Sequence, residues 1–226
     1  MPHEFGQMMA KDFNAPHVVE GYDQHIQQLI PAYALMHLQV QSILACDYPN
    51  ARHFLIVGVG TGYELHDLLS RYPKAQFTAL DPAANMLQHA RQQCSAQQHR
   101  IRFIESTLQD FQTEQQFDVV LILLVSHFVQ DKSCFWQKAY QLLRVGGIVI
   151  SYDLMQPEPQ ELGYLKQLCQ HQGLSQTQAN RMLQRLEDDF FLLDAYDYQQ
   201  QLIQVGFKHI YCYLKVLCYA GWLAKK

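Results

Sequence analysis

The sequence lacks any apolar stretch long enough to cross a membrane. Its longest uninterrupted apolar run, Val119 to Val125, has seven residues, whereas a spanning helix needs roughly 20. No positively charged and then apolar leader opens the chain. We therefore expect a cytoplasmic protein with no membrane partner.

The sequence also lacks the spacings that hold disulfides and metals. Its six cysteines form no Cys-x-x-Cys pair and show no framework-like spacing, which favours buried thiols over disulfides. None of its eleven histidines lies three or four residues from another, as two ligands on one helix face would. We expect no metal site.

An excess of basic residues is missing as well. The 17 Lys and Arg residues are outnumbered by 21 Asp and Glu residues, giving a formal net charge of −4. This argues against an extensive nucleic-acid-binding surface, although it is compatible with a local RNA patch. With 226 residues, 49% of them hydrophobic, the chain can bury one sizeable core and is too short for two full domains. We expect a single domain over residues 1–226.

The most informative feature that is present is a glycine loop between a predicted strand and a predicted helix. Phe54 to Val57 is an apolar run typical of a buried parallel strand. The loop Gly58–Gly62 then allows a sharp turn and a close approach of backbone N–H groups to a ligand. Asp81 ends the next predicted strand, where folds of this kind place a carboxylate on two ribose hydroxyls. The pattern predicts a nucleotide-cofactor site.

The loop does not have the spacing of a dinucleotide site. That fingerprint needs its third glycine at residue 63, which is a tyrosine here. The motif Val57-Gly58-Val59-Gly60-Thr61-Gly62 with Leu80-Asp81-Pro82 instead resembles the class I, seven-strand S-adenosylmethionine (SAM)-dependent methyltransferases. A nicotinamide dehydrogenase is a distant alternative.

This resemblance implies an α/β fold, a doubly wound, mostly parallel seven-strand Rossmann-like sheet. An N-terminal helical lid (1–46) and a helical cover (154–193) inserted after strand 5 would accompany it. Alternating signals along the chain place strands near 53–57, 76–80, 101–105, 117–123 and 146–152, and helices near 62–72, 83–96 and 131–143. A glycine cap at Gly146-Gly147 would stop the last of these helices. The apolar runs at 210–217 and 219–223 would form the antiparallel last two strands.

The resemblance also implies SAM as the cofactor and S-adenosylhomocysteine as the product. The residues expected to bind SAM are Tyr22, Gly58, Val59, Gly60, Thr61, Gly62, Asp81, Pro82, Met86, Thr107 and Leu108. Met86 is equally well spaced for a core position, and the Thr107 hydroxyl equally suits a turn. Family members often carry an acid two positions before the first glycine, but this chain has Ile56. The amino group of the SAM tail must therefore be met by another group.

A second resemblance is to the carboxy-SAM synthase branch, whose enzymes supply a modified sulfonium for tRNA wobble-uridine modification. Gly21-Tyr22-Asp23 and the segment Gln201–Phe207 carry it. The branch uses an arginine for the added carboxylate, and that position falls at Gln201 here. A neutral amide does not provide the charged fork that a carboxylate prefers, so we predict that carboxy-SAM is not the preferred ligand.

The candidate catalytic residues are His127, Tyr22 and Tyr152. His127 follows the fourth predicted strand, and histidine is the side chain that most often serves as a general base. Tyr152 and Asp153 end the fifth strand, where Asp153 equally suits a cap. The sequence thus predicts a methyltransferase with a small-molecule acceptor. The alternatives are a carboxy-SAM synthase-like enzyme and a non-catalytic SAM-binding or homodimer-forming protein.

Overall fold

A computed structural model describes residues 12–226 of the chain. Residues 1–11 of the expected N-terminal helical lid lie outside this described part. The strands are β1 His53–Val57, β2 Gln76–Asp81, β3 Ile101–Glu105, β4 Phe117–Leu123, β5 Leu143–Leu154, β6 Lys208–Val216 and β7 Tyr219–Lys225. The α-helices of the described part are α1 Pro16–Glu20, α2 Tyr22–Leu29, α3 Tyr33–Asp47, α4 Tyr63–Arg71, α5 Ala84–Gln93, α6 Lys132–Leu142, α7 Pro159–His171, α8 Gln176–Asp188 and α9 Ala195–Val205.

The strands form one seven-stranded sheet in the order β3-β2-β1-β4-β5-β7-β6. The first five strands are parallel, and β7 lies antiparallel between β5 and β6. The order reverses between β1 and β4, and such a switch point leaves a crevice at the carboxyl ends of the strands. This is the predicted doubly wound, Rossmann-like fold.

The central strands are buried on both faces because side chains alternate along a strand. In β1, Phe54 and Ile56 pack into one apolar core. Leu55 and Val57 pack into the core on the other side of the sheet. A continuous apolar strand is therefore what this position requires, and the sequence pattern identified it correctly.

The boundary between α6 and β5 differs from the sequence prediction. Helix α6 ends at Leu142 and β5 begins at once, so Gly146 lies inside the strand and does not cap the helix. The register with β4 shifts between Phe117 and Val119, which pair with Leu143 and Ile148. Gly146, at φ +78°, lies in this bulge. Likewise α5 stops at residue 93 and a 3-10 helix follows, so the predicted helix over 83–96 was too long.

Helices before β1 and after β5 contact each other above the crevice. Helices α2 and α3 are separated at Pro31, and Ala32 has a left-handed φ of +54°. From the inserted helix α7, the Cys169 thiol lies 3.3 Å from the carbonyl oxygen of Leu29 in α2. The inserted helices therefore pack on the N-terminal ones as well as on the sheet.

Within residues 12–226, no single helix has the length and apolarity to cross a membrane. The pair α2 and α3 meets those criteria only when taken together, and the two helices are bent by 93° relative to each other.

Candidate active site

Three adjoining cavities lie at the carboxyl ends of the strands. The largest has a volume of about 610 Å³, within the usual range for small-molecule sites. Its walls include most of the predicted cofactor residues, namely Tyr22, Gly58, Gly60, Asp81, Pro82, Met86, Thr107 and Leu108. We call it the cofactor cavity.

The glycine loop forms one wall of the cofactor cavity. Its backbone adopts left-handed conformations that residues with a side chain disfavour. Gly58 and Gly60 have φ values of +69° and +53°. A Cβ on Gly58 would lie well inside van der Waals contact with Val125 Cγ2. Gly62, at φ +85°, begins α4, and a Cβ there would meet Ala90 Cβ at 3.1 Å. Gly62 thus serves close packing of α4, and it does not line the described cavities.

Asp81 lies at the rim of β2 with both carboxylate oxygens engaged by backbone. Its Oδ2 accepts from the Gly60 N–H at 2.8 Å and its Oδ1 from the Ala83 N–H at 2.8 Å. Burial raises the pKa of Asp81, and the two N–H donors oppose that rise. A carboxylate has about four acceptor sites, so it can still accept from two ribose hydroxyls. Asp81 therefore ties the glycine loop to the expected ribose position.

At the far end of the cofactor cavity, two expected contacts also have structural roles. Met86 is 2% exposed and packs with Val19 and Ala83 while also lining the cavity. The Thr107 hydroxyl donates to Asp110 Oδ2 at 2.6 Å and accepts from the Asp110 N–H. Because that hydroxyl is used within a turn, Thr107 presents mainly its backbone to a ligand.

The second cavity, of about 410 Å³, adjoins the first. We call it the acceptor cavity. Its lining residues come from α2, α8 and the loop after β4, and are mostly apolar. Five residues line both cavities: Phe13, Tyr22, Leu124, Phe128 and Arg185. Leu124 has a left-handed φ of +61°. Such strain in a non-glycine residue concentrates at functional sites.

His127 lines the acceptor cavity and is paired with a buried carboxylate. Its Nδ1 is hydrogen-bonded to Oδ1 of Asp153, which is fully buried at the end of β5. Burial alone would raise the pKa of Asp153, but the imidazole and the Ser126 hydroxyl hold it below its usual value. The other ring nitrogen of His127, Nε2, has no hydrogen-bond partner among residues 12–226. The sequence had offered His127 and Asp153 separately; the fold brings them together.

Hydrogen bonds to two buried charged side chains hold the short 3-10 helix, residues 126–128, that carries His127. Asp153 Oδ2 accepts from the Ser126 N–H at 2.6 Å and from its hydroxyl at 2.5 Å. Buried Lys132 donates to the carbonyl oxygens of Ser126 and Val129, both at 2.8 Å. Asp153 and Lys132 therefore fix the backbone that positions the His127 imidazole.

Two residues singled out from the sequence lie elsewhere. Tyr152 is fully buried, and its hydroxyl donates to the Pro31 carbonyl oxygen at 2.8 Å. It lines none of the three cavities, so the fold does not place this candidate catalytic residue against a substrate. Gln201 lies on α9 and lines none of these cavities, whereas Arg185 lines the cofactor and acceptor cavities and Arg181 lines the acceptor cavity. The neutral amide at residue 201 is therefore weak evidence on whether the site prefers SAM or carboxy-SAM.

The third cavity is a recess of about 30 Å³ between the glycine loop and the N-terminal helices. Val59 and Thr61 line it, and so does Glu64 in the first turn of α4. Burial raises the pKa of Glu64 to about 8, and the carboxylates of Asp81 and Asp23 act in the same direction. Asp23 in turn accepts from the Thr61 hydroxyl at 2.6 Å.

Sequence reasoning missed Glu64, Asp23, Leu124 and Arg185 as site residues. Glu64 follows the glycine motif by only two positions, and its first-turn place is also where an ordinary helix accepts an acid. Within the described part of the chain, no three metal-ligand side chains lie together.

Residues 54–147 match a family model described as a methyltransferase domain. Over its full length the chain is similar to a carboxy-S-adenosyl-L-methionine synthase of Wolinella succinogenes, at 24% identity, covering 98% of this chain and 97% of that protein. A malonyl-acyl-carrier-protein O-methyltransferase of Acetivibrio thermocellus is 28% identical over 47% of this chain and only 37% of its own length.

Among solved structures, the plantazolicin methyltransferase BamL, in complex with a triazolic desmethylPZN analogue and S-adenosylhomocysteine, is similar in fold. Its TM-score is 0.72 at 16% identity, covering 94% of this chain and 92% of that one. At this identity the likeness is one of architecture.

Proposed function

We propose that this chain, which is a class I SAM-dependent methyltransferase, methylates a small, largely apolar acceptor that carries an anionic group, with His127 as general base. When bound, SAM supplies a methyl group already activated on a sulfonium. The protein's tasks are then to align the acceptor and, where needed, to take its proton. We further propose that residues 1–226 work as one domain.

The observation that carries the proposal is the His127–Asp153 pair on the wall of the acceptor cavity. Asp153 accepts the Nδ1 proton, which leaves Nε2 as the basic nitrogen toward that cavity. The proton lost by an acceptor O–H or N–H can pass to Nε2 as the new bond to carbon forms. Phe128, whose ring centroid lies 4.1 Å from that of His127, lines both the acceptor and the cofactor cavity.

The lining of the acceptor cavity supports the acceptor class. Its body is apolar, with Met182, Leu186 and Phe190 on one side. Arg185 is paired with Asp189 at 2.6 Å. Arg181 also lines the cavity, and it forms no ion pair with any residue of the described part. A guanidinium beside an apolar pocket favours a carboxylate or phosphate on the acceptor.

The test uses labelled methyl transfer from SAM to a panel of small hydroxy- and amino-carboxylates, such as 4-hydroxybenzoate. We expect His127→Gln and Asp153→Asn to slow transfer by about 10²–10⁴-fold, the usual contribution of a general base. Their SAM affinity, measured by calorimetry, should stay that of the wild type. His171→Gln, at an exposed position on α7, is the matched control. Wild-type rates in His127→Gln would contradict the proposed base.

A carboxy-SAM synthase-like reaction is the second candidate. It is favoured by the full-length relative and by Arg185, a basic residue that lines both cavities. Mass spectrometry of ligand retained through purification distinguishes the candidates, because SAM, S-adenosylhomocysteine, carboxy-SAM and NAD differ in mass. Our prediction remains that SAM or S-adenosylhomocysteine is found. Retained carboxy-SAM would favour the second candidate.

A further inference from the structure

Glu64 lines a small recess that adjoins the cofactor cavity at the glycine loop. The small recess that it lines shares Tyr22, Gly58 and Gly60 with the cofactor cavity, so the two spaces meet at the glycine loop. At about 30 Å³ the recess has room for one water-sized group. An ammonium group is of that size.

Among the described residues, the recess is lined by one carboxyl group, that of Glu64, and by no lysine or arginine. The titratable groups that surround Glu64 or interact with it through space are Tyr22, Asp23, Tyr33, His37, Tyr63, Asp81 and Cys94. Burial keeps His37 neutral by lowering its pKa to about 4. A cation entering this recess would therefore meet Glu64 without competition from a protein cation.

The chain also lacks the acid that would otherwise serve the cofactor tail. Ile56, two positions before Gly58, is 1% exposed and packs in the core. It contributes no charge. Ile56 precedes the glycine loop along the chain and Glu64 follows it, so the two residues lie on either side of the loop.

We propose that Glu64 binds the α-ammonium group of SAM, replacing the acid that is absent at residue 56. This inference rests on the proposed function, since it requires SAM in the cofactor cavity. It assigns to this chain a tail contact provided by α4, the helix after the loop, in place of one from β1. The groups present suit a cation better than a second carboxylate, because the carboxylates of Asp23 and Asp81 already disfavour a negative charge on Glu64.

The proposal has a proton signature. A carboxyl group with a pKa of about 8 is mostly protonated at pH 7, and a bound ammonium favours its ionised form. Binding of SAM should then release up to about one proton per site near pH 7, and affinity should rise with pH between 6 and 7.5.

The experiment is isothermal titration calorimetry at pH 7 in two buffers of different ionisation enthalpy. The ligands are SAM, S-adenosylhomocysteine and 5′-methylthioadenosine, which lacks the amino-acid tail. For Glu64→Gln we expect about 10- to 100-fold weaker binding of the first two ligands. Their proton release should be lost, and 5′-methylthioadenosine affinity should be unchanged. Glu114→Gln, an exposed acid-to-amide change between β3 and β4, should behave as wild type.

Equal proton release and equal affinity for S-adenosylhomocysteine in wild type and Glu64→Gln would overturn the role of Glu64 while leaving SAM binding intact. Failure of the wild type to bind any of the three ligands would overturn the proposed function and this inference with it. If Glu64→Gln loses 5′-methylthioadenosine binding through misfolding, Glu64→Asp decides. That variant should still release a proton with SAM, and its failure to do so would count against the proposal.

Discussion

His37 is a histidine that folding keeps uncharged. It is 6% exposed in α3, with the rings of Tyr33 and Tyr63 at centroid distances of 4.6 and 4.8 Å. Its Nε2 has no partner in the described part of the chain. Burial lowers its pKa from 6.5 to about 4, against a smaller opposite effect of Asp67.

This lowered pKa predicts a specific loss of stability in acid. Between pH 6.5 and about 4 the unfolded chain binds a proton on His37 that the folded chain does not, so stability is present above 6.5 and falls as the pH drops through this window. From pH 7 to pH 5 the loss should be about 1–2 kcal/mol. Urea unfolding at both pH values should show that His37→Phe removes this part of the loss. The exposed control His99→Gln should retain it, and an unchanged loss in His37→Phe would refute the assignment.

At the level of single residues, sequence reasoning located groups whose motif fixes their position. Asp81 and the glycines follow from the loop spacing, and their linkage through the Gly60 N–H agrees with it. The sequence alone could not predict that His127 pairs with Asp153, because the two residues lie at the ends of neighbouring strands and are 26 positions apart. Glu64 was missed because its environment, the recess under α2 and α3, depends on helices far away in sequence.

Among the elements, the glycine loop is the one most sensitive to an added methyl group. We expect Gly58→Ala to destabilise the protein by more than about 1 kcal/mol and to weaken SAM binding, because its φ is +69° and its Cβ would overlap Val125. Gly163→Ala is the matched control. Gly163 is exposed in α7 with no atom within 4 Å of an added Cβ, so alanine should stabilise by about 0.5–1 kcal/mol. Thermal unfolding and calorimetry measure both, and wild-type values for Gly58→Ala would be inconsistent with the loop geometry.

The elements were mostly predictable because their patterns are local. The strands β1 to β4 follow from their apolar runs. The start of β5 could not be predicted in this way, because two consecutive glycines, Gly146 and Gly147, are typical of a helix end. In the fold, pairing with β4 extends the strand through them by a bulge. Strand pairing, which is a long-range interaction, overrode the local signal.

For the whole molecule, the arrangement of helices over the crevice predicts a response to ligand. We propose that α1–α3 and α7–α8 close over the cofactor. Hydrogen exchange should therefore slow in α2 and across residues 154–193 when S-adenosylhomocysteine binds. The surface strand β6, on the far edge of the sheet, should exchange at the same rate with and without ligand. Unchanged exchange in both covering segments, with ligand bound, would leave them a structural role only.

The hydrogen bond from the buried Tyr152 hydroxyl to the Pro31 carbonyl oxygen fixes one point about which the N-terminal helices can rotate. It holds the α2–α3 break against the centre of the sheet, while the Asp23–Thr61 hydrogen bond lies at the opposite end of α2. The eight residues of α2 make a lever about 12 Å long. A rotation of roughly 15° about this fixed point would move Tyr22 by about 3 Å, enough to separate it from the glycine loop. We expect Tyr152→Phe to change the rate at which ligand enters and leaves, and to spare the transfer step.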